Sequence, residues 1–277
     1  MISKNAIIES NDIQIGKNVI IGDGVEIRCP EKIHIGDNSV LTKNIKINCT
    51  SFEAGEYLFM CERVEIGRGG CYGPNSRVKI GKHVGIFEGT VINPSEEVEI
   101  GDDTGIGGDV MIWTHGAWLD VLQGFPADFG PVKIGSNVWL PARSVVLPHV
   151  IIGDNVVIGI NSIINRSLPD GCFAAGSPCK VIKENVYPKK LTEDEKKNIV
   201  LEIIDGWYKL HDMKKIKDVL TKYEDGKIYL NQGKHQTIYY MDERKIEGYN
   251  NNVSEDLRDY MRRRGIKIYT GELFRSI

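Results

Sequence analysis

The fold is decided by a run of six-residue segments that reads Ile134-Gly-Ser-Asn-Val-Trp, Leu140-Pro-Ala-Arg-Ser-Val, Val146-Leu-Pro-His-Val-Ile, Ile152-Gly-Asp-Asn-Val-Val, Ile158-Gly-Ile-Asn-Ser-Ile and Ile164-Asn-Arg-Ser-Leu-Pro. An aliphatic residue opens every segment, and in most of them a small or β-branched residue follows four places later. A six-residue period fits neither the 3.6-residue turn of a helix nor the two-residue alternation of a strand. A fixed internal period of this kind predicts a solenoid.

The same period extends outward from this stretch, from Ile13 to Leu168. Three segments would form one coil of roughly 18 residues, with aliphatic residues inside and Gly or Asn at the turns. No single coil can bury its own apolar face, so the coils must stack. Two interruptions of the period, from Asn48 to about Cys61 and from Thr114 to Pro131, predict loops that leave the coil. Functional residues often lie on such loops.

These repeats resemble those of the hexapeptide-repeat proteins. The resemblance implies an all-β solenoid, a left-handed parallel β-helix, over residues 1–187, with an extruded loop at 114–131. The spacing of the repeats indicates only a solenoid, and its handedness comes from the resemblance.

The sequence pattern of residues 188–277 predicts a small α/β region appended to the solenoid. Thr192 and Glu195 form a capping-box pattern before an amphipathic helix, and Ser254 is expected to cap a second helix. Strands are predicted at Lys227-Ile-Tyr-Leu, Thr237-Ile-Tyr-Tyr-Met and Ile266-Lys-Ile-Tyr. We interpret this region as a cap on the open end of the solenoid, because terminal repeats need capping. A role in binding an acceptor or a partner is the alternative.

Composition narrows the class of protein. The 277 residues carry a formal net charge of −3 and are 41% hydrophobic, so no basic field predicts a nucleic-acid partner. No apolar run reaches the roughly 20 residues of a membrane span. The N-terminus lacks a secretory pattern, and we expect a cytoplasmic protein. The six cysteines contain no CxxC pair and are expected to be buried thiols.

The second interruption opens with Ile112-Trp-Thr-His-Gly-Ala-Trp, and the period resumes at Ile134-Gly-Ser-Asn-Val-Trp. The solenoid then ends in Gly176-Ser-Pro-Cys-Lys-Val-Ile. This combination resembles the galactoside/xenobiotic acetyltransferase branch of the hexapeptide acyltransferases. The resemblance covers roughly residues 60–185 and implies an acyltransferase, most simply an acetyltransferase, that uses a coenzyme A thioester and no metal.

His115 is the predicted catalytic residue. Transfer of an acyl group to a hydroxyl or amine requires removal of a proton, and an ordinary histidine can accept one near neutral pH. His115 stands where a strand gives way to a loop, so it should be both oriented and accessible. No recognisable serine or cysteine nucleophile is present, which favours direct transfer in a ternary complex with the acceptor.

The coenzyme A site is implied by the resemblance, which places the cofactor between neighbouring solenoids of a homotrimer. Small residues would bind the pantetheine through the backbone, cations would meet the phosphates, and Pro178 would pack on the adenine. The expected residues are Trp139, Ala142, Asn161, Ser162, Arg166, Pro178 and Lys180. Pro141 stands where the family usually has Gly, which removes one backbone donor. We expect the oxyanion donor to be a backbone amide near 139–142.

The acceptor is expected to be a small-molecule sugar, free or nucleotide-linked. The family places amide or carboxylate side chains one or two coils before the histidine, on the neighbouring subunit, and aromatic rings could stack on the sugar. The candidates are Glu88, Asn93, Ser95, Asp109, Trp113, Trp118 and Asp120. The sequence leaves open whether an amine or a hydroxyl is acylated.

Two other functions are compatible with a solenoid. A γ-type carbonic anhydrase needs three zinc-binding histidines, but the loop 115–131 offers no second histidine beside His115. A non-catalytic scaffold would not require His115 or the ending at Lys180. The acyltransferase is therefore the preferred interpretation.

Overall fold

Short strands fill the first of the two units into which the chain divides, Met1–Lys189 and Lys190–Ile277. The computed structural model describes residues 1–274. In chain order the strands of the first unit are β1 (Ile7–Glu9), β2 (Ile13–Ile15), β3 (Ile20–Ile21), β4 (Glu26–Arg28), β5 (Lys32–Ile35), β6 (Val40–Leu41), β7 (Lys46–Asn48), β8 (Ser51–Ala54), β9 (Phe59–Met60), β10 (Glu65–Ile66), β11 (Arg77–Ile80), β12 (Gly85–Ile86), β13 (Val91–Asn93), β14 (Val98–Ile100), β15 (Gly105–Ile106), β16 (Met111–Trp113), β17 (His115–Gly116), β18 (Asp128–Phe129), β19 (Val132–Ile134), β20 (Trp139–Leu140), β21 (Val145–Val146), β22 (Ile151–Ile152), β23 (Val157–Ile158), β24 (Ile163–Ile164), β25 (Phe173–Ala175) and β26 (Lys180–Lys183).

These strands form a three-sided parallel coil. Sheet I is ordered β1-β4-β7-β10-β13-β16-β21-β24, sheet II β2-β5-β8-β11-β14-β19-β22, and sheet III β3-β6-β9-β12-β15-β20-β23-β25. The chain returns to the same sheet after each coil, as the six-residue period predicts. The antiparallel pair β17–β18 lies outside the coil, and β26 closes sheet III by pairing antiparallel with β25.

The interior of the coil is filled by the periodic aliphatic residues. Those that open the six segments are each at most 2% exposed: Ile134, Leu140, Val146, Ile152, Ile158 and Ile164. The residues four places later fill the corners and are at most 5% exposed: Val138, Ser144, Val150, Val156, Ser162 and Leu168. Full burial of one aliphatic side chain contributes about 1.5–3 kcal/mol, so the stacked coils share a continuous core.

The turns between strands use the left-handed backbone region, as the abundance of Asn suggested. Asn137, Asn155 and Asn161 have φ values of 55°, 58° and 60°, which Asn tolerates better than most residues. His83 and His149 adopt φ values of 61° and 64° at equivalent turns. These two histidines therefore belong to the corners of the coil.

The first predicted interruption is wrong. Residues 48–61 contain β8 and β9, and β8 pairs with β5 on one side and β11 on the other. Phe52 takes the inward position of an aliphatic residue and is fully buried, so polar neighbours in the sequence concealed a regular coil. The chain instead leaves the coil at Gly67–Ser76, between β10 and β11.

The outer faces of the three sheets differ in chemistry. On sheet II, Lys79 Nζ lies 2.6 Å from Glu97 Oε1 and Lys133 Nζ lies 3.2 Å from Glu99 Oε2. Sheets I and III instead expose large apolar side chains, among them Phe59, Met111, Trp139 and Ile163. Sheet II thus presents a mostly charged face and sheet III an apolar one. The face of sheet I is charged in its first coils, at Glu26, Lys46 and Glu65, and apolar in its last, at Met111, Val145 and Ile163.

The second unit combines two helices with a four-stranded antiparallel sheet. Its elements are α1 (Glu193–Met213), β27 (Val219–Glu224), β28 (Lys227–Gln232), β29 (His235–Tyr240), β30 (Lys245–Gly248) and α2 (Asn252–Arg263). Trp207, Tyr239 and Leu257 are fully buried in its core. The capping box of Thr192 and Glu195 is confirmed, as are the strands predicted from Lys227 and Thr237.

Two predictions for the second unit are wrong. Asn251, not Ser254, caps α2, because its side chain accepts hydrogen bonds from the backbone of Val253 and Ser254. Residues 266–269 form no strand among the described residues. The tail is held instead by buried Arg258, which donates to the carbonyls of Ile268 and Leu273. Among residues 1–274, no helix is long and apolar enough to cross a membrane.

Candidate active site

His115 lies at the corner where the chain passes from sheet I to sheet II, called here the I–II corner. It follows β16 after one residue, Thr114, and begins β17, so a rigid coil holds its backbone on one side. The coil before it places Asn93 at the end of β13, paired in register with Trp113. Thr114 joins the two coils because its hydroxyl donates to the Asn93 carbonyl at 2.7 Å. His115 is therefore anchored immediately beside the preceding coil.

Asn93 and Ser95 both contact the imidazole of His115. Nδ1 lies 2.8 Å from Asn93 Oδ1 and 2.9 Å from Ser95 Oγ. Both residues are buried and reach the His115 of their own chain. This corrects their expected position on a neighbouring subunit, because their polar atoms are engaged in orienting the ring.

The orientation of the Asn93 amide fixes the tautomer of His115. Asn93 Nδ2 donates to the carbonyls of Gly67 and Gly69, each at 3.1 Å, so Oδ1 must face the ring. An amide oxygen only accepts hydrogen bonds, hence Nδ1 of a neutral His115 carries the proton. Nε2 then presents its lone pair, the state that a general base needs. No polar side chain of residues 1–274 hydrogen-bonds Nε2.

Aromatic rings enclose the imidazole. Phe129 stacks on it with centroids 5.4 Å apart, and Trp113 meets it edge-on at 6.2 Å. Trp113 was expected beside His115, whereas Phe129 was missed. Its place in the sequence carries no repeat signal, and only the pairing of β17 with β18 brings it back to His115.

The loop Gly67–Ser76 forms another wall of the site, which the sequence analysis also missed. A Cβ built on Gly70 would lie 2.8 Å from Ser95 Oγ and 3.5 Å from His115 Nε2. Cys71, within the same loop, is buried, and this burial raises the pKa of its thiol to about 11. The cluster of glycines in Gly67-Arg-Gly-Gly-Cys-Tyr-Gly was the available signal for a loop.

The longer loop, residues 114–131, moves away from His115 before it returns. Its middle holds a short 3₁₀ helix, Val121–Gln123, that Asp120 caps through a 2.9 Å bond from the Leu122 backbone. Trp118 is 95% exposed. Asp120 is thus used in a cap, and neither residue contacts His115. The returning limb is held where His149 Nε2 lies 2.9 Å from Asp128 Oδ1.

The residues expected to bind coenzyme A lie at other places. Ala142 and Asn161 occupy the corner between sheets III and I in successive coils, where the Asn161 N–H donates to the Ala142 carbonyl at 3.1 Å. Ser162 is fully buried, and its backbone faces the same corner; Trp139 covers Gly105 on sheet III. The end of the coil carries three exposed candidates, Arg166, Pro178 and Lys180.

Glu88 and Asp109 also lie at the III–I corner. The Asp109 N–H donates to the Glu88 carbonyl at 2.8 Å, one coil before Ala142. Both side chains are exposed. One chain therefore places His115 at the I–II corner and these two acceptor candidates, together with three of the seven cofactor candidates, along the III–I corner. Within residues 1–274, no three His, Cys, Asp or Glu side chains are placed to hold a metal ion.

Residues 131–166 match the family model described as bacterial transferase hexapeptide (six repeats). The putative acetyltransferase YJL218W of Saccharomyces cerevisiae is 37% identical over 129 residues, which are 46% of this chain and 64% of the relative. Galactoside O-acetyltransferase of Escherichia coli K12 is 50% identical over 54 residues, 20% of this chain and 27% of the relative. The chain thus spans less than two thirds of either relative.

Among solved structures, the acetyl-coenzyme A complex of the hexapeptide-repeat acetyltransferase VCA0836 from Vibrio cholerae O1 biovar eltor is similar. Its TM-score is 0.38 at 22% identity, over 55% of this chain and 70% of that chain. These sequence matches confirm the resemblance to hexapeptide-repeat acyltransferases that was inferred from the repeats and the loop histidine. The chain is thus similar to hexapeptide-repeat acyltransferases, and residues 131–166 carry the repeat of that family.

Proposed function

We propose that this protein transfers an acetyl group from acetyl-coenzyme A to a hydroxyl or amine of a sugar, with His115 as the general base. The observation that carries the proposal is the bond from His115 Nδ1 to an Asn93 amide whose direction is fixed by two backbone carbonyls. That arrangement leaves Nε2 unprotonated and accessible. The acetyltransferase names of the relatives support the same reaction class.

In the proposed reaction, His115 Nε2 accepts the proton from the acceptor as its oxygen or nitrogen attacks the thioester carbonyl. Acetyl-coenzyme A supplies the acyl group in activated form. Nδ1–H stays hydrogen-bonded to Asn93 Oδ1 and stabilises the imidazolium that results. His115 then returns the proton to the departing thiolate, so acetylated acceptor and free coenzyme A leave a neutral histidine. Loss of such a base typically costs about 10²–10⁴-fold in rate.

We further propose that the coil is left-handed and that three copies assemble with their active sites between subunits. The separation of His115 from Ala142 and Asn161 on different corners supports this, since a second copy could bring one of each together. The apolar outer face of sheet III and the apolar later coils of sheet I are suited to burial, whereas the ion-paired face of sheet II is suited to water. Trp139, Ala142, Asn161 and Ser162 would then line the pantetheine, and Arg166 and Lys180 would meet the phosphates.

The test is a thermal-unfolding titration with acetyl-coenzyme A, followed by measurement of thiol release with amino and hydroxy sugars. A ligand at about 100 times its dissociation constant adds about 2.7 kcal/mol to the folded state. We expect a rise in Tm that is lost in Arg166→Ala/Lys180→Ala and kept in a control, Lys227→Ala/Arg244→Ala, in the second unit. Absence of any shift at millimolar ligand would contradict the proposal and favour a scaffold.

A further inference from the structure

The loop Gly67–Ser76 contains a run of backbone N–H groups without acceptors. Within residues 1–274, none of the N–H groups of residues 68–72 donates a hydrogen bond. The value of φ is 84° at Arg68 and 87° at Gly70, and it is not positive at Gly69. Alternation of this kind is typical of nests, backbone concavities in which successive N–H groups face an anion.

Two further features place this concavity in the active site. The carbonyls of Gly67 and Gly69 are held by the same Asn93 amide that orients His115. Gly70 also borders Nε2, the atom at which the acceptor would lose its proton. An acceptor that presents its nucleophile to Nε2 therefore has the loop at its side.

Arg68 adds a full positive charge to the loop. Its Nη2 lies 2.9 Å from Glu65 Oε2, and both side chains are partly exposed, at 47% and 34%. An exposed ion pair of this kind contributes only about 0–1 kcal/mol. A bound carboxylate or phosphate, which a guanidinium binds through two parallel hydrogen bonds, could therefore replace Glu65 at little cost.

We propose that the loop Gly67–Ser76 binds an anionic group of the acceptor and that Arg68 determines this specificity. The inference rests on the proposed acetyl transfer and narrows it to a sugar that carries a carboxylate or a phosphate. Tyr72, which is 77% exposed in the same loop, offers an aromatic face beside that group.

The experiment compares acceptors that differ in one charge, galactose with galacturonic acid and glucosamine with glucosamine 6-phosphate. We expect a KM at least about tenfold lower for one of the charged acceptors, which corresponds to about 1.4 kcal/mol. Arg68→Gln should remove that difference by raising the KM of the charged acceptor towards that of the neutral one. Arg63→Gln is the matched control. Arg63 also has a positive φ, of 60°, but it precedes β10, whereas Arg68 follows that strand.

A second measurement separates this inference from the proposed function. Inorganic phosphate is titrated into ¹⁵N-labelled, deuterated protein, and the amide signals of Gly69, Gly70 and Cys71 are followed. We expect them to shift in the wild type and in Arg63→Gln, and to remain unchanged in Arg68→Gln.

Shifts without acetylation of any sugar would support the anion site and contradict the proposed function. Acetylation of neutral and charged sugars alike, with stationary amides and an unaffected Arg68→Gln variant, would overturn the inference and leave the function intact. Preference for the carboxylate or for the phosphate would identify which of the two anions the acceptor carries.

Discussion

Two loops leave the coil at the same I–II corner, and they differ in how they are built. Gly67–Ser76 is rich in glycine and lies against Ser95 and His115. The loop 114–131 holds His115 only at its first residues, while its middle exposes Trp118 and Leu122 at 95% and 93%. One loop is fitted closely to His115, and the other extends away from it.

The difference supports the proposal that the chemistry takes place where the loops join the coil. Asn93, on the coil between them, binds the carbonyls of the first loop and the imidazole at the start of the second. The exposed middle of the second loop contacts neither. Substitutions near Asn93 should therefore affect turnover, and substitutions in the middle of the second loop should not affect folding of the single chain.

The largest effect is expected from His115→Ala. Without a base at Nε2, kcat should fall by at least about 10²-fold, while the stabilisation by acetyl-coenzyme A should remain. Steady-state thiol release and thermal unfolding measure the two quantities. His235→Ala, at an exposed position in the second unit, serves as the control. Activity close to wild type in His115→Ala would contradict the assignment of the base.

A smaller effect, of about tenfold in kcat, is expected from Asn93→Ala. The variant loses the acceptor that holds the proton on Nδ1, so the imidazole should populate both tautomers. The ¹⁵N chemical shifts of His115 report the tautomer directly. Asn48→Ala is the control, since Asn48 also ends a sheet I strand and is exposed, but β10 and β13 separate its strand from β16, and it lies against Gly67 rather than the imidazole. Unchanged shifts together with unchanged kcat would show that Asn93 does not orient His115.

Gly70→Ala should reduce kcat/KM several-fold. The added Cβ would meet Ser95 Oγ at 2.8 Å, and φ at this position is 87°, which costs an alanine about 1–2 kcal/mol. Gly73→Ala is the matched control, because a Cβ there would have no neighbour within 4 Å. Equal effects of the two substitutions on kcat/KM would show that closeness of the first loop to the base is unimportant.

The smallest effect is expected from Trp118→Ser and Leu122→Ser. Because both side chains are almost fully exposed, the free energy of unfolding should change by less than about 0.5 kcal/mol. Chemical denaturation measures this. A decrease above about 1 kcal/mol in the free energy of unfolding would contradict this expectation. It would show that the middle of the second loop packs on a surface outside its own chain.

The period in the sequence predicted the coil because each segment repeats the same inward and corner positions. It also led to His115, since a loop is visible where the repeat stops. The period did not reveal that residues 48–61 continue the coil. Phe52 takes the inward position that other coils fill with an aliphatic residue, and its neighbours in the sequence are polar.

The partners of His115 could not be predicted from spacing alone. Asn93 and Ser95 precede His115 by one coil, and which of their atoms face the ring depends on the carbonyls of Gly67 and Gly69. Phe129 reaches the ring only through the pairing of β17 with β18. Asn251 caps α2 rather than Ser254, because both residues suit a helix start and Ser254 is used at the third position of the same capping box.

Neighbouring parallel strands lie about 4.7–4.9 Å apart, so equivalent positions at one corner of the coil recur at this regular spacing from coil to coil. A segment inserted at one corner of any coil faces the segments at the same corner above and below, while the aliphatic interior stays unchanged. Lengthening the turn between β7 and β8 would therefore add a third wall in line with the other two. New acceptor preferences can in this way be built without redesigning the core.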